Sequence, residues 1–184
     1  FFKICILVFL PILFLPFIIE LFTKSKHPFA NLGYLFLGLI YIGIPFTLAQ
    51  FIAINDGNYY PNIILGLLLL TWANDTGAYL IGSQIGKTPL FPRISPNKTW
   101  EGSMGGVTIT FLIAWLLSVY MTELSLVNWL ILAILVSIFA SVGDLIESML
   151  KRSLGVKDSG NIMPGHGGFL DRFDAFIFLL PFAS

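Results

Sequence analysis

Six long apolar runs, separated by short polar links, restrict what this chain can fold into. A helix needs about 20 mostly apolar residues to cross the hydrocarbon core of a bilayer. Only 11% of the residues are charged, whereas a typical soluble domain carries about 25%. We therefore expect an all-α fold, a polytopic helical membrane protein with about six membrane segments. The runs cover about residues 4–21, 32–54, 63–85, 103–120, 126–150 and 169–184.

The two ends of the sequence indicate a piece of a longer chain. It begins with Phe1 rather than with methionine, and the sixth apolar run stops at Ser184 before it is long enough to span a bilayer. We expect residues 1–184 to form a single transmembrane domain whose last segment is truncated.

Most lysine and arginine residues lie in alternate links, on one side of the predicted membrane segments. Nine of the ten lie in or beside the links that follow the first, third and fifth runs, and only Lys3 lies on the other side. Short loops rich in Lys and Arg generally stay in the cytoplasm. We therefore expect the basic loops to be cytoplasmic, and their regular alternation supports the number of runs.

The stretch from residue 141 to residue 174 holds five of the ten acidic residues and four of the ten basic ones. Asp144 lies two turns before the end of the fifth run. Asp171 and Asp174 open the sixth run, three residues apart and therefore on one helix face. Ionisable groups in or beside membrane helices usually mark a functional site.

Asn74 and Asp75 interrupt the third run. Together with the aspartates of the fifth and sixth runs, they are expected to offer oxygen ligands near the same side of the membrane. Oxygen-only ligands suit a hard cation, and Mg²⁺ typically takes one or two protein carboxylates together with phosphate oxygens. A simpler alternative is that the three aspartates pair with the neighbouring Lys151, Arg152 and Arg172, since charges within a membrane do pair.

The same side of the membrane is rich in groups that bind phosphate. Lys and Arg are natural phosphate partners, and the turn at Pro164–Gly168 brings backbone N–H groups to the start of a helix, a favourable anion site. For the loop 95–102, an additional interpretation is a helix boundary in which Thr99 caps the helix and Glu101 lies in its first turn. The candidates for phosphate binding are Lys98, Lys151, Arg152, Lys157, His166 and Arg172.

Other kinds of site find no support in the sequence. No CxxC, HExxH, GxSxG or P-loop pattern is present, which argues against zinc chemistry, a serine nucleophile and a Walker-type nucleotide site. The four tryptophans are expected at the membrane interface or facing lipid. The residues together predict a magnesium-dependent phosphate site at the cytoplasmic surface of the membrane.

A long pattern with fixed spacing consists of Ser148–Arg152, Lys157–Asp158 and Pro164–Asp174. This pattern resembles the signature of the phosphatidate cytidylyltransferases, also called CDP-diacylglycerol synthases. Three upstream elements are also similar to the family: Asn74–Thr76 with Ala78–Tyr79, Ser95–Gly102, and Gly143–Leu145 with Glu147–Ser148. The resemblance therefore places the catalytic core at residues 74–174. Asn97 departs from the family, in which a basic or small polar residue is expected.

The resemblance implies that CTP and phosphatidic acid condense to CDP-diacylglycerol and pyrophosphate. It implies a requirement for Mg²⁺ and leaves a second, monovalent cation open. The implied metal ligands are Asp144, Asp171 and Asp174, and the implied catalytic residues are Asp144, Lys151, Asp171 and Arg172. The implied substrate-binding residues are Asn74, Asp75, Ser95, Lys98, Arg152, Lys157, Asp158 and His166.

The resemblance also implies a location and partners. The expected location is the cytoplasmic (inner) membrane of a bacterium, with the active site facing the cytoplasm. The expected partners are CTP, phosphatidic acid and membrane lipids, without nucleic acid, and the glycine-rich runs permit a homodimer. The alternatives are a cytidylyltransferase for an ether lipid, a CTP-dependent polyprenol kinase, and a transporter that uses the same acids. The long signature argues against the kinase, and the gathering of the acids near one face argues against transport.

Overall fold

The computed structural model describes residues 2–55, 57–156, 159–160, 168 and 170–184. Within these ranges the chain is predominantly helical, and its strands form two short antiparallel hairpins. Contacts divide the chain into two compact units, Phe1–Ile44 and Pro45–Ser184.

The first unit consists of two helices joined by a polar turn. The side-chain amide of Asn31 donates to Glu20 Oε1 at 2.8 Å and to Ser25 Oγ at 2.9 Å. These bonds tie the start of the second helix to the end of the first. The elements are α1 (Phe2–Phe22), α2 (Pro28–Gly38) and a π-helical stretch (Leu39–Gly43).

The second unit is a helical bundle with a hairpin at two of its connections. Gly57 turns the first hairpin with a φ of 77°, a left-handed conformation that glycine adopts without steric cost. In chain order the elements are α3 (Ile44–Ala53), β1 (Ile54–Asn55), β2 (Asn58–Tyr59), α4 (Pro61–Ile85), β3 (Pro89–Phe91), β4 (Ser95–Thr99), α5 (Trp100–Tyr120), α6 (Leu126–Ser153) and α7 (Leu170–Ala183).

Glycines let α4 and α5 approach each other closely. A Cβ on Gly102 would stand 2.8 Å from the carbonyl oxygen of Ala78 and 3.0 Å from the Cα of Gly82. A Cβ on Gly106 would stand 2.7 Å from the carbonyl oxygen of Asn74. Small residues at such contacts are how membrane helices gain close van der Waals packing. The contact holds the polar part of α4 against the first half of α5.

A buried tryptophan fills the space between α4 and α6. The side chain of Trp129 is fully buried, and its indole N–H donates to the carbonyl oxygen of Met121 at 3.3 Å. Its ring lies on Gly66, where a Cβ would overlap the outer ring carbons. Trp129 therefore does not face lipid, because the missing side chain at Gly66 leaves room for the ring inside the protein. The other three tryptophans are about half exposed.

The helix α7 packs on the second half of α6. A Cβ on Gly143 would stand 2.7 Å from the Cβ of Phe178 and 3.1 Å from the Cα of Ala175. The rings of Phe139 and Phe182 stack with their centroids 3.7 Å apart. This packing brings the first turn of α7, which is acidic, beside the last turns of α6.

At the other end of the bundle, the side-chain amide of Asn62 at the start of α4 donates to the Glu123 carboxylate in the connection between α5 and α6. This hydrogen bond holds the pKa of the Glu123 carboxyl below its usual range, because it favours the ionised form. The bond links the two connections that lie farthest from the acidic end of α7.

The structure confirms an all-α polytopic membrane protein, and its helices match the six apolar runs to within a few residues. The link between the third and fourth runs contains a hairpin that the sequence analysis does not predict, because β3 and β4 pair within it, and α5 begins at Trp100. Thr99 caps α5, as the helix-boundary interpretation predicts. Four helices in the described ranges are long and apolar enough to cross a membrane, namely Pro28–Ala53, Pro61–Ile85, Trp100–Tyr120 and Leu126–Ser153, and Leu10–Phe22 is shorter.

The contact between Trp129 and Gly66 provides a test of the packing. We expect Gly66→Leu to lower the free energy of unfolding by about 1–3 kcal/mol, because it overpacks a filled core. Thermal unfolding in a mild detergent would measure the change. Gly33→Ala is the control, since a Cβ there has nothing within 4 Å, and it should leave the midpoint unchanged or slightly higher. Equal losses in both variants would contradict this account of the core.

Candidate active site

A cavity of about 790 Å³ opens between α4, α5, α6, α7 and the β3–β4 hairpin. Pockets for small ligands typically measure about 300–1,000 Å³, so this cavity is large enough for a nucleotide-sized molecule. Its walls come from parts of the sequence that are far apart. Seven of the predicted site residues line it: Asn74, Asp75, Lys98, Asp144, Lys151, Asp171 and Asp174.

The other predicted site residues fall into two groups. Three are described but are not among the residues that line the cavity: Ser95, which pairs with Phe91 across the hairpin, and the exposed Arg152 and Arg172. Lys157, Asp158 and His166 lie outside the described residues. The structure thus brings together the predicted lysines and carboxylates of the helices, and it leaves the two arginines outside the cavity.

Lys98 reaches the cavity from strand β4 and forms an ion pair with Asp144 of α6. The two side chains are 27% and 33% exposed, so the pair is accessible from the cavity. The simple-pairing alternative gave Asp144 a partner among the basic residues that follow it in sequence. Its partner in the structure instead comes from the β3–β4 hairpin, which is distant in sequence and lies near Asp144 only in the folded chain.

Lys151 lies between two carboxylates. Its Nζ is 2.5 Å from Glu147 Oε2 and 2.7 Å from Asp171 Oδ1. Lys151 thus forms an ion pair with each carboxylate, and it donates a hydrogen bond to Asp171. The simple-pairing alternative is therefore correct for Asp171 and Lys151.

Asp171 also organises the residues that precede α7. Its Oδ2 accepts hydrogen bonds from the N–H of Ser159 at 2.9 Å, the hydroxyl of Ser159 at 2.8 Å and the N–H of Gly168 at 2.7 Å. A Cβ on Gly168 would stand 2.7 Å from the nitrogen of Gly160, so the position requires glycine. An N–H group that we expected to be available for phosphate here contacts the chain's own carboxylate.

Glu147 is a functional candidate that the sequence analysis did not assign. Its side chain is fully buried, and carboxylate oxygens of Asp144, Glu147 and Asp174 lie within 4.8 Å of one another. A signal for it exists in the sequence, because Glu147 follows Asp144 by three residues and precedes Lys151 by four. These spacings place side chains on one helix face.

The three clustered carboxylates fit a hard divalent cation. They offer oxygen atoms, as Mg²⁺ requires. Within the described part of the chain Glu147 Oε2 contacts the Lys151 amine, whereas the buried Oε1 has no hydrogen-bond partner, and burying a polar atom without one is costly. A cation would offset that cost. The assignment of Asp171 as a metal ligand stays a prediction, since its oxygens here contact Lys151, Ser159 and Gly168.

Removing the amine of Lys151 should destabilise the protein, because Glu147 and Asp171 would lose the charge that compensates them. We expect Lys151→Ala to lower the free energy of unfolding by about 3–5 kcal/mol, the usual cost of breaking a buried pair. Chemical unfolding in detergent would measure it. Adding Glu147→Gln should recover part of the loss, whereas the exposed Lys26→Ala should change stability by less than about 0.5 kcal/mol. No recovery in the double variant would contradict the proposed charge compensation.

Known proteins resemble this chain over most of its length. A profile described as "Cytidylyltransferase family" matches residues 1–184. A phosphatidate cytidylyltransferase of Bacillus subtilis (strain 168) is 43% identical over 162 residues, 87% of this chain and 60% of the relative. A phosphatidate cytidylyltransferase of Staphylococcus haemolyticus (strain JCSC1435) is 45% identical over 161 residues, 86% of this chain and 60% of the relative. This chain thus spans about 60% of the length of these curated relatives, and it belongs to the cytidylyltransferase family.

Proposed function

We propose that this chain carries the catalytic part of a phosphatidate cytidylyltransferase, which condenses CTP with phosphatidic acid to give CDP-diacylglycerol and pyrophosphate. The observation that carries the proposal is the convergence of Lys98, Asp144, Lys151 and Asp171 on one cavity among membrane helices. The names of two relatives at 43% and 45% identity agree with it. Transport would instead need acids spread along a path through the bilayer.

The charge balance of the cavity supports a bound divalent cation. Five carboxylates, including that of Glu147, face three amines in the described part of the site, before a triphosphate adds further negative charge. We infer that Asp144, Glu147 and Asp174 hold Mg²⁺, with Asp171 beside them. The bound ion would neutralise and orient phosphate oxygens. The three amines belong to Lys87, Lys98 and Lys151.

The reaction needs no nucleophile from the protein. A phosphate oxygen of phosphatidic acid attacks the α-phosphorus of CTP and forms a new P–O bond. The bond from that phosphorus to the oxygen bridging to the β-phosphate breaks, and pyrophosphate leaves with its electron pair. The protein's contribution is then to position the two phosphates and to supply positive charge where negative charge develops.

Lys98 and Lys151 are suited to supply that charge. Each amine already contacts a carboxylate of the proposed metal and phosphate site, Asp144 in one case and Asp171 in the other. Once a cation compensates the carboxylates, the amines are available to phosphate oxygens. The pair of Lys98 with Asp144 is the more exposed of the two, so Lys98 can change partner at a smaller desolvation cost.

We also propose the orientation of the site. The cavity lies among helix ends whose connections carry most of the Lys and Arg residues, which favours the cytoplasmic side of a bacterial inner membrane, where CTP is available. Phosphatidic acid would reach the cavity from the cytoplasmic leaflet while its acyl chains stay in the bilayer. The homodimer and the second, monovalent cation stay predictions.

The reaction can be tested with the full-length protein in detergent micelles. We expect release of pyrophosphate that requires CTP, phosphatidic acid and Mg²⁺ together. Asp144→Asn should lower kcat by about a hundredfold or more, comparable to the loss of one preorganised electrostatic contact. Glu123→Gln, at the other end of the bundle, should retain the wild-type rate. Turnover of an ether lipid phosphate in preference to phosphatidic acid would favour the ether-lipid alternative, and no turnover by folded protein would overturn the proposal.

The metal site can be tested without turnover. A ligand that binds only the folded state raises its stability in proportion to the logarithm of ligand concentration. We therefore expect Mg²⁺ alone to raise the thermal midpoint of the wild type, and Glu147→Gln and Asp174→Asn to reduce that rise. Glu123→Gln should keep it. A rise of the same size in all variants would contradict this ligand set.

A further inference from the structure

We propose that Glu101 is a positioning residue that holds the β3–β4 hairpin against the start of α5 and thereby places Lys98 in the cavity. The effect on catalysis rests on the proposed function, whereas the anchoring of the hairpin does not. Glu101 is not among the described residues that line the cavity, so it would act through Lys98 rather than by touching the substrates.

The Glu101 carboxylate accepts three hydrogen bonds from the connection that leads into β3. Its Oε2 accepts from the N–H of Lys87 at 3.1 Å and the N–H of Thr88 at 3.2 Å, and its Oε1 accepts from the Thr88 hydroxyl at 2.9 Å. Glu101 lies in the first turn of α5. The Glu101 side chain thus connects the residues that precede β3 to α5, the helix that follows β4.

The two sides of the hairpin also meet tightly at its base, where the residues before β3 contact the start of α5. The N–H of Trp100 donates to the carbonyl oxygen of Thr88 at 3.0 Å, and the Thr99 hydroxyl accepts from the N–H of Gly102 at 3.2 Å. A Cβ on Gly86 would stand 2.9 Å from the Thr99 Cγ2. The connection therefore has little room to shift independently of Thr99.

Lys98 is the residue immediately before this base. Its long side chain reaches Asp144 from β4, so a small rotation of the hairpin about its base would displace the amine from the cavity. Without the Glu101 acceptor, the N–H groups of Lys87 and Thr88 lose their partner and the base loses its main side-chain anchor. The backbone position of Lys98 would then be less defined, and binding a phosphate would require ordering it first.

The test compares Glu101→Ala with the conservative Glu101→Gln in the full-length protein. We expect Glu101→Ala to raise the KM for CTP about tenfold, the effect of one lost charge-assisted contact, and Glu101→Gln to stay near the wild type because its amide keeps an oxygen acceptor. In a Lys98→Ala background, Glu101→Ala should add little, since residues that act through one another are not additive. Thr88→Val removes one of the three donors to Glu101, so it should also raise the KM for CTP, but by less than Glu101→Ala.

A second readout does not depend on activity. The hairpin and its base contain three trypsin sites, Lys87, Arg93 and Lys98. We expect tryptic cleavage there to be faster in Glu101→Ala than in the wild type, and near the wild-type rate in Glu101→Gln. The control Glu123→Ala removes a hydrogen-bonded carboxylate elsewhere and should change neither cleavage nor KM.

Wild-type KM and wild-type protection in Glu101→Ala would overturn the inference. A full additional loss in the Lys98→Ala background would also overturn it, because Glu101 would then not act through Lys98. An inactive wild type would overturn the proposed function and the catalytic half of the inference, and tryptic protection would still decide whether Glu101 anchors the hairpin.

Discussion

The ion pairs of Lys151 with Glu147 and Asp171 compensate a buried carboxylate and join two helices. Glu147 is fully buried on a membrane helix, where an uncompensated charge costs several kcal/mol. Because Lys151 belongs to α6 and Asp171 opens α7, the same bridge also fixes the start of α7 against the end of α6. Asp171 extends the connection to Ser159 and Gly168. The charges that would bind ligands therefore also determine the local fold.

The glycines of α5 serve the site as well as the packing. Gly106 leaves space at which a Cβ would come within 2.9 Å of the Asn74 side-chain oxygen. The Thr110 hydroxyl lies 3.5 Å from that oxygen and donates its hydrogen to the Gly106 carbonyl oxygen at 2.8 Å. Asn74 is therefore buried between two membrane helices beside another polar side chain. Close helix approach and a polar cavity are two results of the same small side chains.

The sequence predicts the helices well because lipid leaves a spanning backbone few alternatives to hydrogen bonding within its own segment. The same restriction does not apply to side-chain partners. No periodicity relates Lys98 to Asp144, which lie on different elements, and no hydropathy pattern distinguishes the buried Trp129 from the three exposed tryptophans. The ring of Trp129 is buried because Gly66 lies opposite, a contact that only the tertiary structure reveals. Glu147 was within reach of sequence reasoning, since its spacing to Asp144 and Lys151 is helical.

The two lysine pairs differ in how far stability alone accounts for them. Lys151 and Glu147 are 15% and 0% exposed, so their pairing is required once Glu147 is buried. Lys98 and Asp144 are 27% and 33% exposed, so solvent screens this pair more and it contributes less to stability than the buried one. Stability therefore gives a weak reason for Lys98 to be held by an ordered hairpin with three hydrogen bonds at its base. The proposed role of Lys98, which is to present an amine to a phosphate, would account for both the hairpin and its anchor.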